Sequence, residues 1–296
     1  MKRLTIFTPT YNRAYILPKL YESLCDQTCQ DFEWLVVDDG STDDTQTLLQ
    51  QWSEEGILDL RFVYQENGGK MRAYNRAVGM ARGELFVCVD SDDILASETV
   101  VVDSLEFWNL HRQEKSEKPI AGMISFKSPI DGDRTFTDIK KKIEVKSSEE
   151  IFLEYSIEHS DFVSTEILRH YPYLVFDGEK FTTDVYIFYQ MDEAYNFLVH
   201  PYFSQLFQYH DDGYTKHYRR LLFDNPKGYR ELHSIRIKYK KKDYWKSVIC
   251  YISISLFIGD HTMFSSSPNK WLTVLLFPIG VIKHLVDKYK LSRLEK

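Results

Sequence analysis

Two spacings of hydrophobic residues alternate along the first hundred positions. Short runs at Leu4–Thr8, Glu33–Val37, Leu60–Tyr64 and Leu85–Val89 are too brief for helices and rich in β-branched and aromatic types, so they predict strands. Between them, apolar residues recur at helical spacing: Ile16, Leu17, Leu20, Leu24 and Cys25; then Leu48, Leu49 and Trp52; then Met71, Tyr74, Ala77, Val78 and Ala81. The local signals agree with this alternation. Pro9 is expected to end the first strand, Ser41 with Asp44 to form a capping box, and Gly83 to stop the third helix as its C′ residue. Strand alternating with helix predicts right-handed βαβ units and a mainly parallel sheet.

Further along, Val101, Val102, Leu105 and Trp108 predict a helix, and Ile120 to Phe126 a strand. Asp131 to Lys146 is polar and turn-rich, an exposed excursion or a hairpin, and Glu149 to Ser156 reads as helical. A loop from Tyr171 to Lys180 leads into a helix from about Thr182 to Met191. Tyr195–Val199 and Phe203–Tyr209 read as two short strands. The tail changes character: Ile235 to Lys246 is basic and aromatic, while Val248–Ile258 and Trp271–Ile282 are mostly apolar and too short to span a bilayer. Basic residues beside such runs predict an element lying on an anionic membrane surface. Burial of the runs against the rest of the chain, or against a second copy in a homo-oligomer, is the alternative.

With 296 residues, 43% hydrophobic and 27% charged, the chain has ample material for a core. A net charge of −7 argues against a nucleic-acid binder. The charge is unevenly spread, since Lys216 to Lys246 holds eleven Lys or Arg against three Asp or Glu. Cys25 and Cys29 stand four apart without a second pair or a nearby His, so neither a disulfide framework nor a zinc site is expected. Met1 to Thr5 reads into a strand rather than a signal peptide, and a reduced, cytoplasmic setting follows as the expectation.

The densest chemistry lies where the Leu85 strand ends, in Asp90-Ser91-Asp92-Asp93. Three carboxylates in four positions repel one another unless a cation neutralises them, and oxygen-only donors suit Mg²⁺ or Mn²⁺. Open α/β sheets bind ligands at the carboxyl ends of their strands, so a cation held there is placed to carry substrate phosphates. A solvated acidic turn capping the next helix is the plainer alternative.

Thr8-Pro9-Thr10-Tyr11-Asn12-Arg13, Val37-Asp38-Asp39-Gly40-Ser41, Gly68-Gly69-Lys70 with Asn75, and Asp90-Ser91-Asp92-Asp93 follow one another in a set order. Together they resemble the family-2-type inverting glycosyltransferases of the GT-A fold, of the bacterial capsule and cell-surface polysaccharide type. The resemblance spans about residues 3–110, continues loosely to about 215, and does not extend beyond roughly 230. It implies a catalytic domain over 1–215, with a nucleotide-binding half (1–110) and an acceptor-side half (111–215); the basic, aromatic and apolar character of 216–296 predicts a separate C-terminal helical appendage. Pro9, Tyr11, Arg13, Asp38, Asp39, Gly69, Lys70, Asn75, Asp90 and Ser91 would contact the nucleotide. Within that set Tyr11 would stack on the base, Asp39 accept from its ring N–H, Asp38 brace the loop, Lys70 reach the diphosphate and Asp90 contact ribose. Asp92, Asp93 and His210 would attend the metal.

Gly178-Glu179-Lys180-Phe181-Thr182-Thr183-Asp184 resembles a motif of polysaccharide-assembling members in which an acidic residue opens a helix facing the donor. This implies Asp184 as general base, with Asp177 and Glu179 as the other candidates. The reaction implied is a single, inverting transfer from a nucleotide-sugar, most simply a UDP-sugar, to a lipid-linked or glycan acceptor at the inner face of the cell membrane. A sugar-nucleotide pyrophosphorylase would carry a Gly-rich basic loop after the first strand, where Thr8 to Arg13 has no Gly. A non-catalytic nucleotide- or lipid-binding module would bind without turnover.

Overall fold

The computed structural model describes residues 3–131, 143–208 and 214–294. The chain divides into two compact units, Met1–Pro172 with Ala194–Tyr209, and Tyr173–Glu193 with His210–Lys296. Residues 173–193, expected within the catalytic stretch, therefore group with the C-terminal helices.

The first unit holds strands β1 (Leu4–Thr10), β2 (Phe32–Asp38), β3 (Leu60–Tyr64), β4 (Leu85–Cys88), β5 (Ile94–Leu95), β6 (Ile120–Pro129), β7 (Glu144–Lys146), β8 (His159–Ser164) and β9 (Asn196–Phe207). Its helices are α1 (Leu17–Cys25), α2 (Thr45–Glu55), α3 (Lys70–Met80), α4 (Val100–His111), α5 (Ser148–Tyr155) and α6 (Thr165–Leu168). The strands form one sheet in the order β3-β2-β1-β4-β8-β6-β9-β5, with β7 paired to β9. β1, β2, β3, β4, β6 and β9 run one way, and β5, β7 and β8 run the other. Alternation along the strands sends Leu4, Ile6, Trp34 and Val36 into a core with Leu17, Leu20, Leu49 and Trp52 of α1 and α2. Phe7 and Phe86 point the opposite way and meet Tyr74 of α3, with ring centroids 5.7 and 5.1 Å from it.

A carboxylate is buried within the sheet. Glu33 of β2 has a fully buried side chain, and its carboxylate accepts from Thr5 Oγ1 at 2.7 Å, Arg61 Nη1 at 2.8 Å, Arg82 N at 2.6 Å and Arg82 Nε at 2.8 Å. Burial raises its carboxyl, but the donors from Arg82, Thr5 and Arg61 outweigh that and hold it below the ordinary glutamate value.

Several local expectations are corrected. β1 does not end at Pro9. Phe7 O accepts from Val89 N, so two residues on, Pro9 faces the same neighbour, where pairing with β4 has already ended and no N–H is needed. The capping box does not form: Asp43 Oδ1 accepts from Thr45 N at 3.1 Å, while Ser41 Oγ accepts from Asn12 N at 2.9 Å. Gly83 is not a left-handed cap, because α3 already ends in extended backbone at Ala81. Its missing side chain instead allows close approach, since a Cβ there would lie 2.4 Å from Thr5 N. The two short strands expected at 195–209 are one strand, β9, whose pairing with β6 is irregular near Ile124 and Phe126. The antiparallel strand β8 was not expected. Its buried Ser160 interrupts the apolar pattern that would have marked it.

In the second unit α7 (Val185–Met191) is followed by α8 (Tyr214–Asp224), α9 (Pro226–Lys238), α10 (Tyr244–Phe257), α11 (Met263–Ser266) and α12 (Lys270–Leu294). Val248, Tyr251 and Ile252 of α10 form a buried cluster with Ile237 and Met263. The apolar run Val248–Ile258, expected at a membrane surface, is thus largely core. Lys241 of the basic triplet is also buried, with its ammonium 2.8 Å from Asp192 Oδ2. Among the described residues no helix is long and apolar enough to cross a membrane.

Candidate functional site

The carboxyl ends of β1, β2 and β4 and the N-terminus of α3 are tied together by hydrogen bonds in the first unit. Asp39 N donates to Thr10 O at 2.8 Å, joining the ends of β2 and β1. The Asp39 carboxylate, 6% exposed, accepts from Gln65 Nε2 at 2.7 Å and Gly68 N at 2.8 Å through Oδ1, and from Gly69 N at 2.7 Å through Oδ2. Asn67 Nδ2 adds a bond to Asp39 O at 2.8 Å. The loop before α3 is therefore moulded on Asp39. Gly69 sits there at φ 93, left-handed backbone that a side chain would strain. Asp38 is turned into the protein: Oδ1 accepts from Ser41 N at 2.9 Å, and Oδ2 is buried without a hydrogen-bond partner among the described residues.

On the other side of this loop, Lys70 opens α3 and its Nζ reaches Asp90, 2.8 Å from Oδ1 and 3.0 Å from Oδ2. Burial raises the Asp90 carboxyl, but the ammonium groups of Lys70 and Lys127 outweigh it and bring it down to about 2. Lys127, on β6, places Nζ 2.6 Å from Asp93 Oδ2. For Asp93 burial wins: with Asp90 and Asp92 close by, its carboxyl is raised to about 6 despite Lys127. The ammonium of Lys127 is held in its charged form by Asp93 and Asp90, which more than offset its burial. Lys127 was missed in the sequence because it stands on a distant strand outside any motif; only the sheet topology brings it to Asp93.

The remaining residues of the predicted set divide as follows. Tyr11 presents a ring that is 48% exposed beyond β1. Arg13 N donates to Thr45 Oγ1 at 3.2 Å and Arg13 Nη1 to Tyr15 Oη at 2.6 Å, so its loop is fastened to the start of α2. Pro9 and Asn75 are half-buried, Ser91 is buried, and Asp92, next to Asp93, is half-buried. His210 lies outside the described residues. Among the described residues no three His, Cys, Asp or Glu side chains gather as metal ligands. The donor set still suits a hard cation in part. Asp92 carries an oxygen donor of the type a hard cation takes, and Asp93, expected as a second ligand, is engaged by Lys127.

The acidic candidates of the second unit separate cleanly. Glu179 is buried, and its two carboxylate oxygens accept from Lys227 N and Gly228 N, both at 2.9 Å, closing the first turn of α9. Asn225 Oδ1 fastens the same loop through Lys180 N at 2.7 Å and Phe181 N at 3.1 Å. Glu179 thus anchors a helix and is not available as a base. Asp177 and Asp184 are exposed. Asp184 stands at the N-cap of α7, one residue before the helix rather than inside its first turn, without a side-chain capping bond. Tyr173 Oη donates to its carbonyl at 2.9 Å.

A family model described as Glycosyl transferase family 2 matches residues 5–106, the stretch that carries β1 to β4 and the acidic turn. Residues 5–106 form a glycosyl transferase family 2 domain. Among curated relatives, the chondroitin synthase of Escherichia coli is 38% identical over 104 residues, covering 35% of this chain and 15% of that protein. Glycosyltransferase GlyG of Streptococcus pneumoniae is 34% identical over 98 residues, covering 33% of this chain and 32% of that one. The poly(ribitol-phosphate) β-N-acetylglucosaminyltransferase TarS of Staphylococcus aureus is 32% identical over 116 residues, covering 38% and 20%. The matched stretch thus spans a third or less of these relatives' own lengths.

Solved structures extend the likeness of the fold. TarS 1-349 in complex with UDP-GlcNAc superposes with a TM-score of 0.61 at 17% identity, covering 96% of this chain and 89% of that chain. A mannosyltransferase of Pyrobaculum calidifontis in complex with GDP-Man and Mn²⁺ gives a TM-score of 0.56 at 16% identity, covering 97% and 88%. The expected α/β GT-A architecture with C-terminal helices is therefore the one adopted.

Proposed function

We propose that the chain is an inverting glycosyltransferase that moves a sugar from a nucleotide-sugar, most simply a UDP-sugar, to a hydroxyl of a lipid-linked or glycan acceptor in cell-surface polysaccharide synthesis. One observation carries the reading: a continuous set of bonds from Asp39 through Gly68 and Gly69 to Lys70 and Asp90. It places backbone N–H groups at a helix N-terminus, an ammonium and a carboxylate at the strand ends where α/β folds bind nucleotides. The family 2 domain covering these residues supports it, as does the nucleotide-sugar bound by solved proteins of the same fold.

In this account Tyr11 stacks on the base, Asp90 holds the ribose, and Lys70 exchanges part of its bond to Asp90 for the diphosphate. A divalent cation, held by Asp92, would supply charge neutralisation at the diphosphate. The acceptor oxygen attacks the anomeric carbon as the bond from that carbon to the diphosphate oxygen breaks. Asp184 takes the acceptor's proton, and the leaving nucleoside diphosphate gathers its charge beside Lys70. One displacement inverts the anomeric configuration.

The test is release of nucleoside diphosphate from a panel of UDP-, GDP- and dTDP-sugars offered with glycan and polyprenyl-linked acceptors. Turnover with an inverted product is expected, and is abolished in Asp92→Asn. Donor binding without turnover across the panel would instead favour a binding module.

A further inference from the structure

Helix α12 is apolar on two sides, and the described residues cover only one of them. On the inner side Leu272, Leu276 and Phe277 pack on the cluster around Tyr251 and Ile252 of α10. Polar contacts lock this seat: Ser253 Oγ donates to Asp287 Oδ2 at 2.9 Å, Lys283 Nζ reaches the same oxygen at 2.5 Å, and His284 Nδ1 lies 3.1 Å from Ser253 O.

The outer side is a stripe at helical spacing. Trp271 is 88% exposed, Leu275 72%, Ile279 48%, Ile282 62%, Leu285 61% and Tyr289 57%. Eighteen steps at about 1.5 Å each make it about 27 Å long. So long an apolar stripe on a helix already seated by its other face signals a second partner.

The charges of α12 identify that partner. At about 3.6 residues per turn, Lys270 and Lys288 fall along one margin of the stripe and Lys290 along the other. All three are exposed, and Arg293 lies 4.8 Å over the Tyr289 ring at one end. The only carboxylate between Lys270 and Leu294 is Asp287, which is 3% exposed and faces inward. A second copy of α12 laid against the stripe would bring lysines against lysines with no carboxylate to meet them. An anionic lipid surface meets both features at once, with apolar side chains among the acyl chains and ammonium groups at the phosphates. Trp271 and Tyr289, near opposite ends, are the residue types that settle at such a boundary.

We propose that the outer face of α12, from Trp271 to Tyr289, lies in the plane of an anionic membrane surface. This relocates the membrane contact expected for the tail: α10 is core, and α12 is the docking element. The inference is independent of the catalytic reading.

The experiment uses the full chain and sedimentation with vesicles of phosphatidylcholine, alone or mixed with phosphatidylglycerol. Binding to the mixed vesicles is expected, weakening with added salt. Replacing Lys270, Lys288 and Lys290 together by Gln should weaken it about a hundredfold, about fivefold per lysine. Leu275→Glu with Ile282→Glu should abolish it while the circular dichroism spectrum and melting temperature hold. Should that variant fail to fold, brominated lipids provide a second reading. They should quench wild-type fluorescence more than that of Trp271→Phe, whose side chain is almost wholly exposed. Vesicle binding unchanged by either set of substitutions, no binding to either vesicle, or no difference in quenching would overturn the proposal. So would a dimer, seen by light scattering, that dissociates in the Leu275→Glu, Ile282→Glu variant of a chain that ignores vesicles.

Discussion

Replacing Asp39 by Asn tests whether the loop before α3 is built on that carboxylate. The wild-type group accepts from Gln65 Nε2, Gly68 N and Gly69 N at 2.7 to 2.8 Å. Asn keeps the shape but offers one acceptor oxygen, so a side-chain NH₂ must face one of the three donors. Two bonds fall from charge-assisted to neutral, at about 1 kcal/mol each, and one buried donor is left unmet, at about 1–3 kcal/mol. The sum is a local destabilisation of about 3–5 kcal/mol. Native-state hydrogen exchange reads it directly, because the Gly68 and Gly69 amides are the affected donors. Their protection should fall by two orders of magnitude or more, while the β1 and β2 ladder amides change far less. UDP affinity should fall in step, since Lys70 follows these glycines. Amides of Gly68 and Gly69 that stay fully protected in Asp39→Asn would refute the reasoning.

Three further substitutions probe other parts of the account. Glu33→Gln should cost about 3–5 kcal/mol at neutral pH by leaving Arg61 and Arg82 without their buried partner. The Glu33 carboxyl is lowered by folding, so its contribution is present above the ordinary glutamate value of 4.5 and is lost as pH falls through the folded one. Urea midpoints measured downward from neutral pH should therefore converge for wild type and Glu33→Gln. Lys127→Met should destabilise by about 3–5 kcal/mol at pH 8, because Asp93 is then buried without its cation. Asp93 is raised above its ordinary 3.8 to about 6, so its contribution is present in acid and lost as pH rises through that value, and the Lys127→Met deficit should shrink below it. A deficit independent of pH would show that Asp93 is not the group affected. Asp184→Asn should lower kcat about 10²- to 10⁴-fold with donor KM nearly unchanged; equal losses in Asp177→Asn alone would transfer the role to that residue.

How much of this was legible in the sequence depends on range. The parallel half was readable because each strand from β1 to β4 is a short apolar run, Asp38 closes β2, and Tyr11, Asp39, Lys70 and Asp90 follow strand ends at fixed places. What was hidden is long-range. Lys127 reaches Asp93 across 34 positions, and Glu179 spends its carboxylate on Lys227 N and Gly228 N, 48 and 49 positions away. Neither pairing leaves a local trace. The tail misled for a related reason, since the apolar runs of α10 and α12 look alike in composition. Burial alone distinguishes Val248, Tyr251 and Ile252, which are core, from Trp271, Leu275 and Ile282, which are exposed.

The central claim, that the strand ends of the family 2 domain hold a nucleoside diphosphate, is tested most directly by thermal shift with UDP, GDP, CDP and dTDP, each with and without Mn²⁺. A ligand bound only by the folded chain stabilises by about 2.7 kcal/mol at a hundredfold excess over Kd. A shift with UDP and Mn²⁺ is expected that disappears in Asp92→Asn and shrinks in Lys70→Met. No shift with any of the four nucleotides would contradict it.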